Sequence, residues 1–225
     1  MSDSILLTGA CFEEQAELLV PSDDGIAMCL LLLDRSGSMQ PHGDTPRLSA
    51  NELIDTLRKA PGAAQTVFAL LTFGDTVSVD GAPARADRAL PLARYVANGN
   101  TALYQATHDA LTLGIAFRDF TQKRFGTPAR VAISIISDGA DTASGEMAEE
   151  ARRLAEIGRG HGFALQAIGL GIDAKRLALD LGFTPGLAHS APASMAGLRD
   201  SVRRTGMSFS NTMMGARGPR RPPSN

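Results

Sequence analysis

The chain has little cysteine. Its 225 residues contain two, Cys11 and Cys29, and Cys29 sits inside an apolar run, where it reads as a small core residue with a free thiol. That usage fits a reducing cytoplasm. No apolar run is long enough to cross a membrane. The amino terminus, MSDSILLTGA, has no basic region and too short an apolar stretch for a signal peptide, so the expectation is a cytoplasmic protein. The net charge is only −2, which gives no global attraction to nucleic acid or to an anionic membrane. There is no internal repeat, no G-x-x-x-x-G-K-[ST] phosphate loop and no G-x-S-x-G nucleophile elbow.

What is present is an ordinary globular composition, 44% hydrophobic and 20% charged, with enough chain for one α/β domain. Residues 26–33, IAMCLLLL, form an unbroken apolar run. Such a run suits a strand covered on both faces, as in a parallel sheet, and a buried helix segment also fits it. The run ends in Asp34-Arg35-Ser36-Gly37-Ser38-Met39. A buried strand that delivers a carboxylate and two hydroxyls at its carboxyl end can build an oxygen-rich site, the kind that hard cations prefer. Gly37 allows a tight turn between the serines.

Further runs follow in order. Residues 47–60 read as a helix stopped by Pro61-Gly62. Residues 65–73 read as a second buried strand, and Gly74-Asp75 as a hairpin to a short third strand at 76–79, antiparallel and at the sheet edge. Residues 81–97 read as irregular surface chain. His42 and Asp44, in the loop at 40–46 before the first helix, suit metal ligands, partner contacts or solvated loop residues. Asn98-Gly99 is a turn signal. Leu103, Ala106, Ala110, Gly114 and Phe117 then mark a helix face, with Thr101 placed as an N-cap hydroxyl. Residues 121–128 read as a basic loop. Residues 130–137 are another buried strand ending in an acid, Asp138. Helices follow around Met147–Gly158 and at 173–181, strands at 163–170 and 187–191, and a closing helix at 194–204.

Three separated segments carry a family resemblance. Residues 34–39 resemble the D-x-S-G-S-M signature of von Willebrand factor A (vWA) domains. Gly99-Asn100-Thr101-Ala102-Leu103-Tyr104 is similar to the G-G-T-x-L-Y segment of bacterial stand-alone vWA proteins. Ser137-Asp138-Gly139 resembles the family's T-D-G segment, with serine replacing threonine. The likeness covers roughly residues 25–204, in the family's order and spacing. It implies a doubly wound, mostly parallel α/β fold of six strands, in the order 3-2-1-4-5-6 with strand 3 antiparallel. It divides the chain into an extension (1–24), a vWA domain (25–205) and a flexible tail (206–225).

The resemblance also implies a metal-ion-dependent adhesion site (MIDAS). Ser36, Ser38 and Thr101 would bind Mg²⁺, or Mn²⁺ or Ca²⁺, directly. Asp34 and Asp138 would orient those hydroxyls and bind through water. The partner would be a protein offering a Glu or Asp carboxylate. The tellurite-resistance-associated members that this chain looks most like are linked with kinases, phosphatases or AAA+ ATPases. The expectation is therefore a non-enzymatic adaptor in a stress-response system. Two rival classes follow from the same residues. A Mg²⁺-dependent phosphohydrolase would need an acid two residues after Asp34, where the chain has Ser36. RNA binding would rest on the arginines of the tail, Arg217, Arg220 and Arg221.

Overall fold

Strand β1 (Ala27–Asp34) is buried at every residue, and its alternation explains why the run has no polar face. Met28, Leu30 and Leu32 enter one apolar cluster, whereas Cys29, Leu31 and Leu33 enter a second on the opposite side of the sheet. A strand with helices on both faces has no solvent side to mark. The Cys29 thiol is free and fully buried. Loss of solvation pushes its pKa upward, so it is an inert core group.

The computed structural model describes residues 19, 25–80 and 83–214. After β1 come a 3₁₀ turn (Gly37–His42), helix α1 (Thr45–Arg58) and strands β2 (Thr66–Phe73), β3 (Val77–Val79) and β4 (Ala84–Arg85). Helix α2 (Leu103–Phe125), strand β5 (Arg130–Ser137), helix α3 (Ala148–Gly160) and strand β6 (Ala164–Leu170) follow. Helix α4 (Ala174–Asp180), strand β7 (His189–Ala191) and helix α5 (Met195–Met214) complete the described chain.

The sheet runs β3-β2-β1-β5-β6-β7, with β4 also paired to β2. β1 is parallel to β2 and β5, and β5–β6 and β6–β7 are parallel pairs. β3 is antiparallel to β2. The chain first moves from β1 to β2 and β3, then returns to the other side of β1 at β5. Their carboxyl ends therefore flank a reversal of strand order, where doubly wound folds collect ligands. One face is packed by α2, α3 and α4, through Leu111, Phe117, Leu154 and Leu177. The other is packed by α1 and α5, through Leu53, Ile54, Leu57, Leu198 and Val202.

Several details differ from the reading of the sequence. Part of the irregular 81–97 stretch pairs as β4, Val67 opposite Arg85 and Phe68 opposite Ala84. A two-residue strand has too few side chains to show alternation. The basic loop expected at 121–128 is helical to Phe125. There Thr121 holds the exit: its hydroxyl donates to the Arg118 carbonyl at 2.9 Å and accepts the Ala129 N–H at 2.8 Å.

Helix α5 also runs on to Met214, so residues 206–214, expected in the tail, are helical. Phe209 is fully buried and meets Phe68 edge to face, with ring centroids 6.4 Å apart. The Arg130 guanidinium donates to the Thr212 and Met213 carbonyls at 2.8 and 2.9 Å, satisfying acceptors at the helix end. His42 is buried rather than solvated, and Asp44 pairs with Arg47 at the surface. Cys11, the rest of the 1–24 extension apart from Leu19, and the tail arginines lie outside the described residues.

Candidate functional site

Asp34, the last residue of β1, is completely buried. Its Oδ1 accepts the Ser36 N–H at 2.7 Å, which folds the chain after the strand into a turn. Its Oδ2 accepts the Ser137 hydroxyl at 2.5 Å from the end of β5. Burial raises the Asp34 pKa above the usual carboxylate range. The Ser137 and Ser36 hydrogen bonds oppose that shift, and the nearby Asp138 charge adds to it.

The turn sets two hydroxyls side by side, Ser36 Oγ and Ser38 Oγ, 3.0 Å apart. Ser36 is buried and Ser38 faces solvent. Ser38 donates to Asp138 Oδ1 at 2.6 Å. Asp34, Ser36, Ser38 and Asp138 therefore form one hydrogen-bonded cluster across the ends of β1 and β5. Thr101 is brought beside it. A methyl group placed on Gly139 would lie 3.8 Å from Ser38 Oγ and 3.9 Å from Thr101 Oγ1, so both hydroxyls border the same space.

Thr101 does not cap α2. The N-cap residue is Ala102, and the first free N–H groups of the helix are satisfied from another loop. Tyr104 N–H donates to Asp141 Oδ1 at 3.1 Å, and Gln105 N–H donates to Ser144 Oγ at 3.1 Å. Asp141 also accepts the Ser144 N–H at 2.9 Å and the Ser144 hydroxyl. The loop after β5 thus does the work of an N-cap in trans.

The segment around Thr101 is pinned from three directions. Asn98 N–H donates to the Arg35 carbonyl at 2.8 Å, and Gly37 N–H returns a bond to the Gly99 carbonyl at 2.9 Å. Asn100 N–H donates to Asp75 Oδ1 at 2.8 Å, and Ala102 N–H to the Gly74 carbonyl at 2.8 Å. Thr101 N–H donates to Thr142 Oγ1, and Thr142 N–H returns to the Thr101 carbonyl, both at 2.9 Å. Gly99 has φ +74°, and a methyl there would lie 2.1 Å from Asp75 Oδ2, so only glycine fits. Tyr95 adds a further tie, its hydroxyl donating to the Asp34 carbonyl at 2.6 Å.

Sequence reasoning passed over Asp75, Tyr95, Asp141, Thr142 and Ser144. Asp141 and Thr142 follow Asp138 closely in Asp138-Gly139-Ala140-Asp141-Thr142, and that short polar run was the available signal. Asp75 and Tyr95 had none, because their partners are set by tertiary structure.

The cluster suits a hard divalent cation. Adjacent oxygens around an octahedral Mg²⁺ lie roughly 3 Å apart, given Mg–O distances of about 2.1 Å, and the two serine hydroxyls are 3.0 Å apart. Among the described residues no three His, Cys, Asp or Glu side chains converge. A cation here would therefore draw on hydroxyls with two carboxylates behind them. The Asp44 carboxylate is engaged by Arg47 rather than by this cluster.

No family model matches the chain, and no curated protein matches it in sequence. Solved structures do match in fold. The pilus adhesin SpaC from Lactobacillus rhamnosus GG gives a TM-score of 0.65 at 11% identity, over 86% of this chain and 31% of that one. A von Willebrand factor type A protein from Catenulispora acidiphila gives 0.58 at 19% identity, over 84% of this chain and 43% of that one. Proximal thread matrix protein 1 from the mussel byssus, with a zinc-occupied MIDAS motif, gives 0.55 at 15% identity, over 83% and 46%. The chain has the α/β fold of vWA domains and spans less than half the length of each of these proteins. Among the described residues no helix is long and apolar enough to cross a membrane.

Proposed function

We propose that the chain is a metal-dependent protein-interaction module. The observation that carries the reading is the hydroxyl cluster, in which Ser38 bridges Ser36 and Asp138 while Thr101 borders the same space. Ser36, Ser38 and Thr101 would hold the cation, with Asp34 and Asp138 behind them. Asp34 fixes the turn, and Asp138 holds the exposed Ser38 hydroxyl. The bound cation would supply concentrated positive charge at the rim, little reduced by three neutral hydroxyls, and so favour a carboxylate from a protein partner.

An enzymatic role for Asp34 fits the geometry less well. A nucleophilic aspartate must present an oxygen to its substrate. Both oxygens of Asp34 are engaged by Ser36 and Ser137, and the side chain has no exposure. We therefore read the chain as an adaptor rather than a phosphohydrolase. The sequence likeness to stand-alone bacterial vWA proteins extends the proposal to a cytoplasmic setting, with a kinase, phosphatase or AAA+ ATPase as partner.

The test is affinity capture with Mg²⁺ and with EDTA, using wild type and Thr101→Ala, followed by mass spectrometry. Thr101 is not a cap, so its loss should leave the fold intact. A partner held by wild type with Mg²⁺, and released by EDTA and by Thr101→Ala, is the expected result. A partner held equally under all conditions would mean that binding occurs elsewhere.

A further inference from the structure

Beyond Arg35, on the β3 side of the hydroxyl cluster, lies a second set of polar groups that the proposed centre does not use. A cavity of about 410 Å³ opens there, and its lining includes Arg35, Ser78, Asp80, Arg94, Tyr95 and Asn98. It adjoins the centre directly: Arg35 follows Asp34 in the chain, and the Tyr95 hydroxyl donates to the Asp34 carbonyl. The volume lies within the range of pockets that enclose a ligand group.

The cavity walls hold polar atoms without partners. Among the described residues, Arg35 Nε, Asp80 Oδ2 and Ser49 Oγ are buried side-chain atoms with no hydrogen-bond partner, and the first two belong to this cavity. Leaving a buried guanidinium N–H without an acceptor is unfavourable, and such atoms call for an explanation. The guanidinium makes a long 3.4 Å bond from Nη2 to Ser78 Oγ, and its charge faces Asp80. Arg94 and Asn98 are exposed at the opening and bring further donors.

Charge decides the class of ligand. Arg35 and Arg94 contribute two positive charges, and Asp80 one negative. Desolvation raises the Asp80 pKa, against the Thr72 hydrogen bond and the neighbouring Arg35 charge. The balance of one positive charge matches a monoanion, and guanidinium groups bind carboxylates in pairs of parallel hydrogen bonds. A phosphate dianion would be left facing Asp80 with its second charge unmatched.

We propose that this cavity is an anion subsite that receives a carboxylate side chain of the protein partner. The partner's two acidic groups would then be read together, one at Ser36, Ser38 and Thr101 and the other between Arg35 and Arg94. The two-point reading rests on the proposed function, but the subsite itself rests on the cavity.

The probe is fluorescein-labelled hexaglutamate, titrated by anisotropy at low ionic strength with Mg²⁺ and with EDTA. Arg94→Gln should weaken binding by about threefold or more in both conditions, the scale of an exposed charge pair. Asp80→Asn should tighten it by a similar factor, since it removes the opposing charge. Ser38→Ala should weaken it only with Mg²⁺. If Mg²⁺ and Ser38→Ala have no effect while Arg94→Gln and Asp80→Asn act as stated, the subsite stands and the reading of the hydroxyl rim falls. The subsite is overturned if wild type does not bind the peptide, if Arg94→Gln has no effect, or if Asp80→Asn weakens binding. Displacement of the peptide by an equimolar amount of inorganic phosphate would overturn the assignment to carboxylate.

Discussion

The Ser137 hydroxyl reaches from the end of β5 to Asp34 Oδ2 at the end of β1, at 2.5 Å. It is one of the few groups that stabilise a carboxylate with no solvent of its own. Ser137→Ala should therefore lower stability by about 1–3 kcal/mol, the cost of removing a donor from a buried charged acceptor. Ser137→Thr keeps the hydroxyl and should restore most of it. Urea unfolding of the two variants measures the difference.

Asp141 should matter more than its place in a loop suggests. It accepts N–H groups from both Tyr104 and Ser144, and so caps α2 from outside the helix. Asp141→Ala should cost about 1 kcal/mol, as a lost N-cap does. Amide exchange should rise at Tyr104 and Ser144 before the rest of the helix. Cation affinity should fall as well, because the same loop ties down Thr101 through Thr142.

These dependencies explain what the sequence revealed and what it hid. The apolar run of β1, bounded by Asp34, and the run of β5, bounded by Asp138, were legible because strands buried on both faces are almost wholly apolar; Ser134, inside the β5 run, is buried and bonded to Gln166 and Thr205. The Gly-Asp hairpin correctly placed β3 antiparallel at the edge. The length of α5 was not legible. Its last turns, residues 207–214, bury only Phe209 and Met213, among serine, asparagine and threonine that look like tail composition. The trans cap was hidden for a different reason. Thr101 occupies the position where a cap is expected, and only the tertiary structure shows Asp141 and Ser144 serving instead. The ligand set itself came from the likeness of three short motifs, and its test is functional.

The end of α5 offers a direct check on packing. Truncation after Gly206 removes Phe209 and Met213, both buried against the sheet and α1 side of the core. Core losses of this kind cost roughly 3–5 kcal/mol for the phenylalanine alone. At about 2–4 °C per kcal/mol for a chain of this size, the melting temperature should drop by roughly 10 °C or more. A change of only a degree or two would show that this turn of helix is dispensable.

Gly139 separates occupancy of the site from its integrity. A methyl at this position makes ordinary contacts, 3.8 Å to Ser38 Oγ and 3.9 Å to Thr101 Oγ1. Gly139→Ala should therefore be tolerated, whereas Gly139→Leu extends apolar atoms into the space that the hydroxyls share. Gly139→Leu should melt close to wild type in EDTA and show no stabilisation by Mg²⁺ or Mn²⁺. Differential scanning calorimetry with and without metal compares the three proteins.

Whether Ser36, Ser38 and Thr101 hold a divalent cation is decided by calorimetric titration of Mn²⁺ and Mg²⁺ into wild type and Ser38→Ala. Ser38 is exposed, so its replacement should leave the EDTA-state melting temperature unchanged. The expected result is binding to wild type that Ser38→Ala weakens tenfold or more, about 1.4 kcal/mol. Equal affinity in the two proteins, or no binding to wild type, would contradict it.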